Sequence, residues 1–350
     1  MTAKEFGAFI TRLIGKRSLT REETVDCFSD ILQNVQSDMQ QGAFLAALTA
    51  KGESAEEIAA AWQVIYELDT AKVSINTDQP LVENCGTGMD AVKTFNISTA
   101  ASVIAAADGI AMAKHGARAI TSRCGSVDIL EELGVNVECS PDAVKKSIET
   151  VGIGMFNGMS PLVHPQALGR ILSQISFGTV LNIAASLANP ASPKLAVRGV
   201  YSPDLLTPTA KAMKEIGYSR ALVIYGEGEP GTEGGIDEAS TMGRSHIREL
   251  TPDGNIAEYE IRPEQFEITP ARASDLRMEQ DTATEARRMK NLLTSNETQA
   301  RMDIVCLNAG LILYLADSQP SIKAGYHRAR QLLSTDKPII KLNDWIRAQQ

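Results

Sequence analysis

The sequence predicts an α/β protein with a small all-helical domain and a larger α/β domain built on a mainly parallel central sheet. Three observations carry that expectation. About the first 70 residues repeat apolar side chains at three-to-four spacing. From Leu81 onward, short apolar runs alternate with helical patterns, the signature of βα units on a parallel sheet. A chain of 350 residues is also long enough for two domains rather than one.

The elements follow in order. EFGAFITRLIGK, SLTREETVDCFSDILQNV and GAFLAALTAKG read as helices, and SAEEIAAAWQVIYELD adds a fourth. That fourth helix opens on Ser54 with Glu57 three residues later, a capping box. After the linker VSINTDQP, LVENCG reads as a strand, TAASVIAAADG as a helix and IAMAKHG as a strand. SVDILEELG then reads as a helix, VNVEC as a strand and SPDAVKKSIETVG as a helix. From Pro161 to about Pro190 the chain is apolar and helical, returning toward the N-terminal helices. LAVRGVY and ALVIYG are strands flanking a helix, and Asp253-Gly254 turns a hairpin. IVCLNAGLILYLA and IKAGYHRARQLLS are closing helices. The expected division is a helical domain over residues 1–72, joined by about 155–190. Residues 73–154 and 191–350 form the α/β domain.

Composition removes several function classes. A net charge of −9 opposes binding to a phosphate backbone. No apolar run reaches the roughly 18 residues that span a bilayer, and the N-terminus has no small-residue cleavage site. The five cysteines are scattered without a CxxC pair, which argues against a disulfide framework and suits a reducing cytoplasm.

Three constellations carry chemistry. Gly86-Thr87-Gly88-Met89-Asp90 is a glycine turn after a strand, where backbone N–H groups approach an anion unhindered. Asn96, Ser98 and Thr99 sit at a helix start, where free N–H groups and the dipole attract phosphate. Either piece alone is also an ordinary capped turn; two such turns ten residues apart favour a phosphate site. Neither is a Walker A loop or a GxGxxG. Lys114-His115-Gly116 closes a strand at the end where such sheets place ligands. Lys114 offers a point charge, whereas His115 taken alone suits a core histidine as well as a site residue. Thr121-Ser122-Arg123-Cys124-Gly125-Ser126 is a further anion-type turn into a helix. Asp237-Glu238, at the end of a glutamate-rich loop, suits either a solvated loop or Mg²⁺, which takes one or two carboxylates plus phosphate oxygens.

The ordered motifs GTGMD, TFNIST, KHG, SRCGSVDILEELG, LANPASP, GVYSPDL and GIDEAS resemble anthranilate phosphoribosyltransferase over almost the whole chain. The resemblance implies a nucleoside phosphorylase/phosphoribosyltransferase-like fold and a cytoplasmic homodimer acting in tryptophan biosynthesis. It also implies phosphoribosyl pyrophosphate and Mg²⁺ in a hinge cleft, with an aromatic or heterocyclic amine as acceptor. Carried over by position, Gly86, Thr87, Gly88 and Asp90 lie along pyrophosphate and ribose. Asn96, Ser98 and Thr99 hold phosphate, Ser98 with one Mg²⁺. Lys114 and Ser126 lie near phosphate or diphosphate, and Asp237 and Glu238 hold Mg²⁺, so that Lys114, Asp237 and Glu238 are the expected catalytic groups. His115 goes with Lys114 and Gly116 at the phosphoribosyl end, and the residue at 117 faces the acceptor.

Four positions depart from the resemblance. Met89 stands where the family has a second glycine of GTGGD. Ala117 stands where KHGNR has asparagine, and Ala185-Ser186 replaces a Gly-Pro that lines the acceptor tunnel. Counting back ten from Asn182, the place of the family's carboxylate-binding arginine falls on Leu172, with Arg170 nearby. Three of the four lie on the acceptor side, so either anthranilate or a different acceptor is the expectation. A non-catalytic relative that binds nucleic acid is the alternative; the intact NIST, KHG and Asp237-Glu238 motifs and the negative charge count against it. The loop patterns of a nucleoside phosphorylase are not found.

Overall fold

Helices α1 (Ala3–Ile14), α2 (Arg21–Leu32) and α4 (Ala55–Leu68) each begin with a capping box, on Thr2/Glu5, Thr20/Glu23 and Ser54/Glu57. With α3 (Asp38–Lys51) they form a helical layer. The computed structural model describes residues 1–118, 124–175, 177–279 and 281–350. Phe6, Phe28, Phe44, Leu48 and Ile65 fill the helical core, and α8 (Leu168–Gln174) and α9 (Val180–Leu187) pack into it through Leu168, Ile171, Leu181 and Ala184.

The second layer is a sheet of eight strands among the described residues. β3 (Ile153–Asn157), β2 (Ala111–Gly116), β1 (Leu81–Gly86), β4 (Leu195–Gly199) and β5 (Arg220–Glu227) run parallel in that spatial order. β7 (Ser245–Leu250) and β8 (Ile256–Ile261) extend the sheet antiparallel, with the hairpin turn between them at Asp253-Gly254, and the short β6 (Gly235–Ile236) pairs with β5. One face is covered by α5 (Ile97–Ala107), α6 (Ser126–Leu133), α12 (Thr282–Leu293), α13 (Gln299–Leu315), α14 (Ile322–Leu333) and α15 (Lys337–Ala348). The other faces α10 (Leu206–Glu215) and the helical layer. Helices α7 (Pro141–Val151) and α11 (Ala273–Leu276) complete the chain.

Three expectations are corrected. Residues 135–139, VNVEC, form turns rather than a strand. Val135 N–H bonds back to Leu130 O and Asn136 N–H bonds to Gln349 O, so these donors are taken by a helix end and the C-terminus. Ile153–Asn157 is instead the edge strand, so the helical return expected over about 155–190 starts inside a strand. Its five residues are all buried, and a short apolar run on both faces carries no alternation to separate strand from helix. Finally, the run from Pro161 to Pro190 is helical, among the described residues, only in two pieces of 7 and 8 residues rather than throughout.

Candidate active site

Parallel strands end together, and the loops leaving β1, β2, β4 and β5 meet over that edge, facing α8 and α9. The cleft between them is lined by the turn after β1, the start of α5, the end of β2 and the Asp237-Glu238 segment.

That acidic segment lies directly across the strand ends. A Cβ at Gly199 would sit 1.5 Å from Asp237 O, and one at Gly86 would sit 2.1 Å from Asp237 Oδ2. Glycine at both strand ends therefore makes room for Asp237 to rest on the sheet edge. Gly88 N–H donates to Asp237 Oδ2 at 2.7 Å, tying the glycine turn to the acidic segment. Asn308, within α13, pins the next residue: its Oδ1 accepts from Ala239 N–H at 3.0 Å and its Nδ2 donates to Ala239 O at 2.9 Å. Asp90, Asp237 and Glu238 each bring a carboxylate oxygen within 4.8 Å of the others. Burial, then the neighbouring Asp237, push the Asp90 carboxyl up to about 7. Burial and the Asp237 charge raise Glu238 as well. Glu238 Oε2 is buried without a hydrogen-bond partner among the described residues. Three crowded carboxylates, one with an orphaned oxygen, fit a hard divalent cation better than any internal partner.

Asn96 stands at the N-cap position of α5 without a side-chain capping bond, and Asn96 and Ser98 line the cleft with Thr87, Gly88 and Asp90. Ser126, at the start of α6, lies against Gly116 and also lines the cleft. Two expected contact residues lie elsewhere. Thr99, within α5's first turn, is fully buried. Lys114 is 1% exposed, and its ammonium donates to Asn84 O at 3.0 Å and to Ser102 Oγ at 3.4 Å. Strand alternation sends its side chain under α5 rather than into the cleft. Ser102 Oγ and Asn84 Nδ2 in turn both donate to Ser98 O, so Lys114 supports the phosphate-type turn from below. Burial lowers its pKa. Within TSRCGS, residues 121–123 lie outside the described residues.

Met89 adopts φ +67°, the left-handed region. Its Cγ lies 3.5 Å from the Cβ position of Gly178, beside Tyr201, so the side chain spans from the β1 turn toward the α8–α9 loop. Asn182 of α9 donates to Thr87 O at 3.2 Å across the same gap.

At the other end the cleft is lined by Ala117, Leu172, Leu181, Ala185, Ser186 and Gly158. Arg170 turns away from it, toward Gln41, Ile31 O and Asp38. Arg118 reaches the cleft but is held by Asp128, Glu131 and Glu138. His115 and His164 face each other here, Nε2 to Nε2 at 3.2 Å, both buried. Behind Ser186 lies a fully buried pair, Arg198 to Glu83 at 2.7 Å, with Asn189 and Tyr218 completing the carboxylate's partners.

Sequence reasoning missed Asn308, His164 and Gly199. Asn308 had a signal: a lone amide inside the apolar IVCLNAGLILYLA is costly to bury unless bonded. His164 and Gly199 had none, because each acts through a residue distant in sequence.

The comparisons agree with this architecture. The family models described as "Glycosyl transferase family, helical bundle domain" and "Glycosyl transferase family, a/b domain" match residues 8–68 and 78–338. The curated anthranilate phosphoribosyltransferase of Desulfosudis oleivorans is 36% identical over 97% of this chain and 98% of its own. That of Polynucleobacter asymbioticus is 37% identical over 97% of both. Among solved structures, anthranilate phosphoribosyltransferase from Thermus thermophilus superposes with a TM-score of 0.86 at 31% identity, covering 97% of this chain and 99% of its own. The Saccharomyces cerevisiae enzyme in complex with PRPP and Mg shares the fold, with a TM-score of 0.83 at 21% identity over 99% of this chain and 98% of its own.

Proposed function

This chain belongs to the anthranilate phosphoribosyltransferase family, and on that premise we propose that it transfers 5-phosphoribosyl from phosphoribosyl pyrophosphate to an aromatic amine, releasing pyrophosphate. One observation carries the reading: the Asp90–Asp237–Glu238 carboxylates share a cleft with the N-terminal turn of α5. A diphosphate there has N–H donors on one side and, through Mg²⁺, carboxylates on the other.

Asp237 and Glu238, with Asp90 and the Ser98 hydroxyl, would hold Mg²⁺, which supplies charge stabilisation for the departing diphosphate. Gly88 and Asn308 fix the acidic segment, so little reorganisation accompanies bond cleavage. Asn96, Ser98 and Ser126 position the phosphates, with Thr87 and Gly88 along the ribose. Lys114 contributes from beneath α5, as a charge that fixes the Ser98 turn. As the C1–oxygen bond breaks, its electron pair leaves with the diphosphate and positive charge develops on the ribose; the acceptor amine attacks C1 and its surplus proton passes to the departing diphosphate or to solvent. Asn182 and Met89 bridge the two layers beside that step.

The division expected from sequence, residues 1–72 with the α8–α9 return against the rest, is proposed as the hinge pair. A cytoplasmic homodimer completes the reading. It is supported by the exposed apolar Ile14, Val35 and Met39 of the helical layer and by five free cysteines. No helix among the described residues is long and apolar enough to cross a membrane.

The test is pyrophosphate release with phosphoribosyl pyrophosphate, Mg²⁺ and anthranilate. Release that needs all three supports the reading. Absence of release together with absence of phosphoribosyl pyrophosphate binding sinks it. A salt-sensitive shift of single-stranded DNA would then favour the nucleic-acid alternative.

A further inference from the structure

The His115–His164 pair is one hydrogen short. His164 Nδ1 packs on Asp69 O, so it carries a proton there and donates it. His115 Nε2 then supplies the hydrogen between the rings, at 3.2 Å from His164 Nε2. That leaves His115 Nδ1 bare, 3.3 Å from Ser186 O. This carbonyl already accepts from Arg198 Nη2 at 3.2 Å, so two lone pairs face each other at His115. The opposite tautomer moves the bare nitrogen to the tighter Asp69 contact. A single added proton, on His115 Nδ1, satisfies all three contacts at once.

The surroundings oppose that proton. Burial and His164 push His115 down to about 3, and burial lowers His164 too. Every neighbouring element bears on the balance. The Asp69 carboxylate, after α4, is held by the N–H groups of Gln166, Ala167 and Leu168. Thr70 Oγ1 lies 3.5 Å from His164 Nδ1, and the Arg198 cation of β4 stands behind Ser186. Arg118, beyond β2, is matched by its own three carboxylates. The Asp69 charge and carbonyl favour a proton on His164, but burial outweighs them, and the pair lines the same cleft wall as Ala117, Leu172 and Ser186.

We propose that His115 and His164 take up one proton when a carboxylate-bearing acceptor enters, and that the resulting imidazole–imidazolium pair is the acceptor's counter-charge. The inference rests on the phosphoribosyltransferase reading and narrows its acceptor to aromatic amines that carry an acid group. It accounts for a cleft in which position 172 is leucine and Arg170 faces elsewhere. The proton is the whole balance of the step: it comes from solvent with the anion and returns with it.

The experiment compares anthranilate with its neutral isostere 2-aminobenzamide, with Mg²⁺ and inert pyrophosphate filling the donor end. Calorimetry in buffers of different ionisation enthalpy counts protons, and both ligands keep constant charge between about pH 6 and 8. The donor-end carboxylates titrate equally in both titrations and cancel. The expected result is close to one more proton taken up with the acid than with the amide. The Kd of the acid should rise by about tenfold per pH unit while that of the amide stays flat. His164→Gln should erase the difference between the ligands. Equal proton uptake, or an acid that does not bind, overturns the inference. Phosphoribosyl pyrophosphate with Mg²⁺ is titrated in parallel. Binding there while the acid fails the test overturns this inference alone, and loss of both overturns the function as well.

Discussion

Gly199→Ala tests whether the sheet edge sets the position of the acidic segment. The new methyl carbon would lie 1.5 Å from Asp237 O, 2.4 Å from its carbonyl carbon and 3.0 Å from its Cβ. Reaching an ordinary contact of about 3.5 Å displaces that carbonyl by about 2 Å. The displacement breaks the 2.7 Å bond from Gly88 N–H and strains the Asn308 clamp on Ala239. A misplacement of about 1 Å near reacting groups costs on the order of 10²-fold. We therefore expect kcat/KM to fall by at least about 100-fold, or about 2.7 kcal/mol of transition-state stabilisation. The half-saturating Mg²⁺ concentration should rise in parallel. Overpacking should cost about 1–3 kcal/mol of stability, so thermal melts must first show that the variant is folded at the assay temperature. A folded variant with kcat/KM within threefold of the parent and an unchanged Mg²⁺ requirement would refute the argument.

Four further outcomes are expected. Met89→Gly relieves a left-handed side chain, worth about 1–2 kcal/mol, but loses its packing and gains backbone freedom, so a rise of about 1–2 °C in Tm is anticipated by calorimetry. Gly42→Ala, in the interior of α3 with nothing within 4 Å of the new methyl, should stabilise by about 0.5–1 kcal/mol in denaturant melts and leave kcat unaltered. Arg198→Met leaves the Glu83 carboxylate buried without its cation and should cost about 3–5 kcal/mol; a loss under about 1 kcal/mol would show that Asn189 and Tyr218 suffice. In chelator, the raised Asp90 pKa favours the fold in acid. Its contribution is full below the ordinary carboxylate range and is lost as pH rises through about 7, so Tm should fall over that window and Asp90→Asn should flatten the slope.

The sequence by itself determined the helical layer, most of the parallel strands and the cleft's inventory. Capping boxes, strand-ending glycines and three-to-four spacing are local, and each records the conformation its own residues adopt. The residue chemistry, and then the family resemblance, singled out the acidic pair and the glycine and helix-start turns that line the cleft. Side-chain direction was not local information. Lys114 and His115 are consecutive in one strand, yet strand alternation sends the lysine beneath α5 and the histidine into the cleft. The VNVEC segment has a strand's alternation, but its backbone bonds go to a helix end and to Gln349 at the other end of the chain. Asn308 and His164 acquire their roles from Ala239 and His115, partners 69 and 49 residues away. Only tertiary packing decides such pairings, because the stabilisation of a buried polar group depends on what the rest of the chain places against it.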